Sequence, residues 1–295
     1  MARTPKADEP GAGCLYLVAT PIGNLEDITL RALRVLKEAD VIACEDTRET
    51  MKLLAHFDIK KRLVSYHEHN EMTRAAEIVI DLEQGAKVAL VSDAGTPVVS
   101  DPGHHLVSLC LRHGIRVVPV PGASAFVAAL AASGMPIEEF AFIGFLPSKQ
   151  SERRKALRDL AEEQRTLVLY EAPHRLVDTL EDALEILGNR PAVVAREVTK
   201  LYEEFMRGTI EQLLEDLRKK APRGEITLLI GPPDETAART NGAGDAASAV
   251  PLAQRVEEIS LERGVDTKAA LKLAARERGL TRREAYKQLL ITRDE

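Results

Sequence analysis

Short β-branched runs alternate with helical patterns along the first 230 residues, and this alternation limits the fold more than any other feature of the chain. It is the βαβα signature of an α/β protein whose mostly parallel sheet is covered by helices on both faces. The first predicted strands are 15–19, 41–44, 63–66, 87–92 and 116–120. Helical stretches lie between them, as at 29–39, where Leu30, Leu33, Val35, Leu36 and Ala39 fall mainly on one face. A second series starts near Phe140, with strands predicted at 141–145, 166–170, 192–196, 204–207 and 225–230. The joint is expected in 131–139, which follows a small-residue helix and holds Gly134 and Pro136. The expected organisation is a disordered tail over 1–13, α/β domains over 14–133 and 134–231, a flexible linker over 232–250, and a small basic helical domain over 251–295.

The last segment reads as three short helices, 251–263, 267–278 and 282–290, with Thr281 to Glu284 as a capping box opening the third. This resembles a helix-turn-helix-like unit; a solvated helical appendage or a dimer contact fits the same pattern. Residues 263–293 hold nine bases and three acids, so a net charge of −6 for the whole chain divides into an acidic body and a tail of +6. Such a tail suits a nucleic-acid partner.

No stretch approaches the roughly 20 uninterrupted apolar residues of a spanning helix, and Met1 to Gly13 has no apolar core for a signal peptide, so the expected place is the cytoplasm, with no membrane partner. Cys14, Cys44 and Cys110 stand singly in apolar runs, which fits reduced thiols and neither a disulfide frame nor a zinc site. The pairs His67/His69 and His104/His105 have no carboxylate cluster to complete a metal site, and no metal is expected.

The chain has no Walker-type phosphate loop and no G-x-G-x-x-G after its first strand, so an ordinary nucleotide fold is disfavoured. Three Gly- and Pro-bearing loops do follow predicted strands: Thr20 to Asp27; Ser92 to Pro97, continuing through Ser100, Asp101, Pro102 and Gly103; and Pro119 to Ala125. Carboxyl ends of strands are where an open α/β sheet places its ligand crevice, and three such loops can build one pocket.

Several motifs carry a more specific signal: LYLVATPIGNLEDITLRAL from Leu15, ACEDTRET from Ala43, LVSDAGTPVVSDPG from Leu90, VPGASA from Val120, GFLP from Gly144, LYEAPHR from Leu169 and REVTKLYEE from Arg196. Through them the chain resembles the tetrapyrrole methylase superfamily, the class III S-adenosylmethionine-dependent methyltransferases. Within that superfamily it is similar to the branch that 2'-O-methylates a cytidine of 16S ribosomal RNA in the small ribosomal subunit. The resemblance covers about residues 15–231, with a further match in the C-terminal helices. It implies two α/β domains with S-adenosylmethionine folded into the cleft between them, and a homodimer. Backbone-rich loops agree, because a sulfonium needs carbonyl dipoles and an adenine needs an apolar or backbone-lined slot.

The donor contacts implied by the resemblance are Pro21; Asp93, Ala94, Gly95 and Thr96; Ser124 and Ala125; Leu169 and Tyr170; and Glu225, Ile226 and Thr227. Asp93, expected as a buried carboxylate, has two readings: a loop-bracing acceptor or a partner for the ligand's amino group. Methyl transfer to a ribose hydroxyl is an in-line displacement in which alignment does most of the work, and a base that takes the hydroxyl proton would help. Candidates for that base are Glu45, Asp46, Glu171, His174 and Glu197, with His174 and Arg175 able to meet a phosphate or the base. Glu45 and Asp46 have a structural alternative in an ion pair with Arg48 or a helix cap, and Glu197 has one in a salt bridge with Lys200. The basic run with Arg153, Arg154 and Lys155 either tracks the RNA backbone or is a solvated face, and Arg282, Arg283 and Lys287 would position RNA from the tail. With aromatics at only 4% and no Trp, extensive base stacking is not expected. Two rivals stand beside this reading: a small-molecule tetrapyrrole methyltransferase of the same fold, and a non-enzymatic RNA-binding assembly factor.

Overall fold

A computed structural model describes residues 12–219, 222–233, 252–264, 266–277 and 285. The chain divides into two compact units between Pro232 and Pro233.

The first unit begins with a five-stranded sheet: β1 (Cys14–Val18), β2 (Val41–Cys44), β3 (Arg62–Ser65), β4 (Lys87–Val91) and β5 (Arg116–Val120), in the order β3-β2-β4-β1-β5. Every pairing is parallel. Strand alternation sends Val88 and Leu90 to one face and Ala89 and Val91 to the other. The Val88 face meets α3 (Glu71–Glu83) and α4 (His104–Arg112), through Ile78, Val79, Leu82, Leu106 and Cys110. The opposite face meets α1 (Leu30–Glu38) and α2 (Thr47–His56), through Val35, Leu36 and Leu54. Capping starts both of these helices: Thr29 accepts from the Ala32 amide at 3.0 Å, and Asp46 accepts from the Arg48 amide at 2.8 Å. Cys14, Cys44 and Cys110 are free and buried. From β1 the chain passes to β2 on one side of the sheet, and from β4 it passes to β5 on the other. The carboxyl ends of β1 and β4 therefore flank a topological switch point, where α/β sheets hold their ligands.

The second sheet joins β6 (Phe140–Phe145), β7 (Thr166–Glu171), β8 (Pro191–Arg196), β9 (Glu204–Thr209) and β10 (Ile226–Ile230) in the order β6-β7-β10-β8-β9. All five fall where the second series was predicted, but the sheet is mixed. Only β6 and β7 run parallel, while β7/β10, β10/β8 and β8/β9 are antiparallel. One face packs on α6 (Gln150–Asp159), α7 (Leu176–Leu187) and α8 (Ile210–Lys219). The other face is covered by α5 (Ala125–Ser133), whose Ala129 and Leu130 lie against Val168, Val193, Ala195 and Leu229. The helix that leaves the first sheet thus already belongs to the core of the second, ahead of the joint expected at 131–139. It stops at Gly134 in a left-handed conformation (φ +78°).

The second unit contributes α9 (Leu252–Arg263) and α10 (Thr267–Glu277). They share a small core of Leu252, Val256, Ile259, Ala270, Leu271, Ala274 and Ala275, and the Asp266 carboxylate accepts from the Ala269 amide at 2.7 Å. The third predicted helix lies outside the described residues except for Ala285, which is buried in that core. The expected tail 1–13, apart from residues 12 and 13, and most of the expected linker also lie outside them.

The basic run at the start of α6 is a correction to the sequence reading. Arg153 is 4% exposed and pairs with Asp182 of α7 at 2.7 Å, so it binds no RNA. Arg154 holds Asp182 at 3.0 Å and also Glu185. Only Lys155 of that triplet is exposed. Burial alone would raise the Asp182 carboxyl; hydrogen bonds from Arg153, Gln150 and Arg154 outweigh it and hold the group below the usual carboxylate range. Such a depressed group stabilises the fold above its unfolded pKa and loses that contribution as pH falls through the folded one. Removing the partner of a buried guanidinium is costly, and Asp182→Ala is expected to lose about 3–5 kcal/mol in urea unfolding at pH 7. The difference from the parent should shrink as pH drops below about 4; a loss under 1 kcal/mol at pH 7 would mean that Arg153 finds another partner.

Candidate active site

Three loops predicted from the sequence converge at the carboxyl ends of the first sheet, and hydrogen bonds lock them together. Thr20 and Gly95 exchange backbone bonds of 2.8 and 3.1 Å, forming a one-residue bridge between the loops after β1 and β4. The Thr20 hydroxyl donates to the Ser92 carbonyl at 3.2 Å, and the Thr96 hydroxyl donates to the Ala123 carbonyl in the third loop at 3.2 Å. Gly95 makes the close approach possible: at φ +84°, an added Cβ would lie 3.3 Å from the Ile22 side chain. The end of β2 is tied in as well, because the Asp46 amide donates to the Asp93 carboxylate at 3.0 Å.

These loops form one wall of a cavity of about 400 Å³, and the second sheet forms the other. Ile22, Asp93, Ala94, Gly95, Thr96, Val99, Ser100, Asp101, Ser124 and Ala125 come from the first side. Phe145, Tyr170, Glu171, Ala172, Pro173, Val198, Gly224, Glu225, Ile226 and Thr227 come from the second. Much of the surface is backbone and small side chains, with apolar walls and an aromatic edge where Phe145 meets Tyr170 at a ring separation of 5.5 Å. Four carboxylates line it and no Lys, Arg or His does. Two of the four have cationic partners: Glu171 lies 3.3 Å from Arg175, and Glu225 lies 3.2 Å from Lys200. Asp93 and Asp101 have no ion pair among the described residues.

The field of this acidic group shows in its protonation. Burial first, and then the neighbouring negative charge of Asp93, raise the Glu45 carboxyl. Partial desolvation at the cavity wall raises the Asp93 carboxyl, although the residue as a whole is exposed, against its hydrogen bond from the Asp46 amide. Burial and then the charge of Glu45 push Asp101 up to about 6. A cavity of this volume with uncompensated negative charge suits a cationic ligand of drug-like size that also carries a flat apolar part.

Eleven of the residues proposed from sequence meet at this cavity: Asp93, Ala94, Gly95, Thr96, Ser124, Ala125, Tyr170, Glu171, Glu225, Ile226 and Thr227. Others do not. Asp93 is exposed at the wall, whereas a buried carboxylate was expected, because it stands on the loop beyond β4. Pro21 is buried beside the cavity, and its neighbour Ile22 lines the wall in its place. Leu169 points into the helix-covered core because alternation along β7 sends only Tyr170 the other way. His174 is exposed on the turn after β7 and lines no part of the cavity. The Arg175 guanidinium donates to the Leu146 and Pro147 carbonyls at 2.8 and 3.2 Å, which anchors the segment after β6. Glu171 accepts from the Ala172 amide and from the Thr179 hydroxyl at 2.6 Å and is 3% exposed, so its oxygens are already engaged. Asp46 caps α2 and pairs with Arg48 at 2.6 Å, the structural alternative weighed from sequence. Glu197 is likewise occupied, accepting from the Glu225 amide and from Lys200, both at 2.9 Å. Glu45 is half-buried within the charge influence of Asp93 and Asp101 and lines no part of the cavity. Arg282, Arg283 and Lys287 lie outside the described residues.

Sequence reasoning placed Ser100 and Asp101 in a pocket-forming loop without assigning them a contact, and missed Val99, Phe145, Ala172, Val198 and Gly224 as cavity residues. Val98 and Ser100 have φ of +77° and +63°, left-handed values that side chains rarely adopt, and Glu197 and Thr199 repeat this at +52° and +69° across the cavity. No local sequence signal announces such a conformation at a valine.

Comparison with known proteins places the fold and the family. Residues 14–214 match the family model of Tetrapyrrole (Corrin/Porphyrin) Methylases. A ribosomal RNA small subunit methyltransferase I of Halalkalibacterium halodurans is 51% identical over 274 residues, covering 93% of each chain. The protein of the same name from Escherichia coli O157:H7 is 49% identical, over 74% of this chain and 77% of its own. Among solved structures, a uroporphyrin-III-C-methyltransferase from Thermus thermophilus superposes with a TM-score of 0.54 at 27% identity, over 74% of this chain and 94% of that one. A diphthine synthase at 16% identity has the same fold, with a TM-score of 0.59 over 74% and 90% of the two chains. The chain belongs to the tetrapyrrole methylases, and within them to the group of relatives that carry the name ribosomal RNA small subunit methyltransferase I.

Proposed function

We propose that this protein is an S-adenosylmethionine-dependent methyltransferase that modifies the 2'-hydroxyl of a cytidine in 16S ribosomal RNA. The observation that carries the donor assignment is the acidic, base-free cavity at the switch point of the first sheet. Four carboxylates and a ring of small residues and carbonyls fit a nucleoside that bears a sulfonium and an ammonium, while Ile22, Val99, Val198 and Ile226 supply apolar wall. Support for the donor also comes from a Thermus thermophilus relative in this fold solved with S-adenosyl homocysteine, at 25% identity and a TM-score of 0.53. The names of relatives near 50% identity support small-subunit RNA as the acceptor over a free tetrapyrrole.

When bound, the donor supplies an electrophilic methyl group. The chain's own contribution is positioning. The Thr20–Gly95 bridge and the Thr96–Ala123 bond hold the three loops before any ligand arrives, so little ordering entropy remains to be lost on binding. Phe145, exposed at the mouth beside Tyr170, presents an aromatic face to an acceptor base. A ribosomal RNA acceptor is in keeping with work in the cytoplasm. None of the described helices is long and apolar enough to cross a membrane. The same reading takes a homodimer as the working assembly, supported by Val127, Ile137 and Phe140, large apolar residues left exposed along the segment from α5 to β6.

Radiolabelled methyl transfer to small subunits that lack 2'-O-methylation, followed by alkaline hydrolysis, tests donor, acceptor and position together. Label is expected in an alkali-resistant dinucleotide that begins with cytidine; donor binding without any transfer would send the search to another acceptor. Asp93→Asn keeps an oxygen for the Asp46 amide and removes the charge. It is expected to weaken S-adenosylmethionine binding about tenfold by calorimetry while leaving the melting temperature near that of the parent. Unchanged affinity would remove Asp93 from the donor site and leave it as a brace between loops.

A further inference from the structure

Away from the donor cavity, one run of cations has no acid to neutralise it. Lys60, Lys61 and Arg62 are consecutive, Lys60 and Arg62 are exposed, and none of the three lies within ion-pair distance of a carboxylate among the described residues. Adjacent cations elsewhere in this unit are committed: Arg153 and Arg154 to Asp182 and Glu185, Arg218 to Glu181, and Lys219 to Asp216. On the neighbouring helix α2, Arg48 is held by Asp46 and Lys52 by Glu49.

The turn from α2 to β3 sets this run in place. The Asp58 amide donates to the Ala55 carbonyl at 3.2 Å and the Ile59 amide to the Leu54 carbonyl at 2.9 Å, with Asp58 itself left-handed at φ +53°. Ile59 is thereby buried, and the chain passes through Lys60 and Lys61 to the amino end of β3. β3 is an edge strand paired only with β2, and between it and α2 lies a second concavity, of about 740 Å³. Its apolar floor is Met51, Leu54, Ala55, Ile59 and Leu63, with Met51 left 59% exposed, and Lys60, Lys61 and Asp58 complete its lower end. Thr47, Met51, Leu54, Ala55 and Asp58 recur at the spacing of one helix face, so the groove follows the length of α2. At its upper end Thr47 comes directly after Asp46, whose amide holds the Asp93 carboxylate of the donor cavity at 3.0 Å.

The register of the sheet gives the separation of charge along this groove. Arg62 stands opposite Val41 and Ser65 opposite Cys44, so Lys61 is level with Asp40. From there to Glu45, at the acidic end of β2, is about 16 Å at the rise of a parallel strand. That is twice the Debye length of about 8 Å at physiological salt, so the carboxylates of the donor cavity do not cancel the attraction of the triplet.

We propose that this groove is a second RNA contact, in which phosphates flanking the target nucleotide rest on Lys60, Lys61 and Arg62 and an unpaired base lies on Met51 and Leu63. This rests on the ribosomal RNA reading above. Single-stranded RNA presents both a charged backbone and an apolar base face, and the groove offers cations and an apolar floor side by side. Its run toward the donor cavity lets a ribose enter there while the neighbouring phosphates are held away from the carboxylates. An acidic protein strand added to the β3 edge would also satisfy the cations, but it would gain nothing from that run.

The test measures binding of the full-length protein to naked 16S RNA by fluorescence anisotropy over a series of salt concentrations. The parent is compared with the triple variant Lys60→Gln, Lys61→Gln, Arg62→Gln, and with a control in which Arg112→Gln, Arg218→Gln and Lys219→Gln remove the same charge elsewhere. At physiological salt the triple variant should bind about tenfold more weakly, and its slope of log affinity against log salt should flatten by about 2, from roughly 0.7 per lost phosphate contact. The control should stay within about twofold of the parent. Met51→Ser should weaken binding with no change of slope, because a base contact releases no counterion. Calorimetry with S-adenosylmethionine should give the triple variant parental donor affinity, while the concentration of unmethylated small subunits that half-saturates methyl transfer rises with its loss of RNA affinity.

Parental RNA affinity and slope in the triple variant overturn the proposal, and so does an equal loss in the control, which makes the effect one of net charge. A loss confined to whole subunits, with naked RNA bound as by the parent, gives the groove to a subunit protein and also overturns it. If the triple variant does not fold, Lys60→Gln alone must weaken binding and flatten the slope by about 0.7, and a parental slope overturns the proposal. A parent that binds RNA through the triplet and transfers no methyl to small subunits leaves the groove standing and overturns the acceptor reading instead.

Discussion

The pair of backbone hydrogen bonds between Thr20 and Gly95 is the constraint on which the site depends. Loops at the end of a parallel sheet have no ladder to hold them, and three of them could sample many arrangements. This isolated antiparallel bridge ties the two loops together beyond the ends of β1 and β4, and the side chains of Thr20 and Thr96 add bonds to Ser92 and Ala123. It requires Gly95 at positive φ beside Ile22, which explains why a glycine stands in the middle of that loop. A pocket made in this way exists before the ligand does, which fits a donor that must be held still for an in-line displacement.

The two sheets share this work unequally. The parallel sheet gives the switch point and the loops, while the mixed sheet gives a wall of side chains: Tyr170, Phe145 and the first residues of β10. What joins them is α5, which begins directly after the third loop and packs wholly on the second sheet through Ala129 and Leu130. Its aromatic neighbours run from Phe126 to Phe142, at 4.4 Å between ring centres, and on to Tyr170 at 5.3 Å. The third loop is thereby anchored in the core of the second sheet, and both walls of the cavity belong to one compact unit.

Much of this was legible in the sequence because buried strands leave a strong signature. All ten strands fall within a few residues of their predicted runs. Their directions in the second sheet were not legible, for a physical reason. β10 is buried along its whole length, as a central parallel strand would be, because α5 covers one face and α7 and α8 the other. A strand buried on both faces loses the in-out alternation that marks an ordinary antiparallel sheet. Arg153 was misread because its partner Asp182 lies 29 residues on, in another helix, and a run of bases looks solvated until that partner is known. The Gly- and Pro-rich loops signalled a pocket. The shape of the loop through Ser100 and Asp101 did not stand out, since it depends on the left-handed turns at Val98 and Ser100 and on the bulge before Gly144 across the cavity.

The charge arrangement that suits a cationic donor works against a polyanionic acceptor. Asp93, Asp101, Glu171 and Glu225 around one cavity set up a field that repels phosphate, and at physiological salt this field reaches about 8 Å. An RNA that presents a ribose to this cavity must therefore be held by cations placed more than a Debye length from the carboxylates, or else splay its backbone away at the target nucleotide. Much of α6 is unavailable for this, because Arg153 and Arg154 are committed to Asp182 and Glu185. Lys155 and Arg158 remain exposed on that helix, which begins a few residues after Phe145 at the cavity mouth. They are too few to neutralise a long RNA contact, and the largest reserve of positive charge in the chain is the segment 263–293. That net positive segment lies in the unit that does not carry the cavity, so the acidic cavity and the basic run are kept apart along the chain, an arrangement under which a cationic and a polyanionic ligand need not compete for one field.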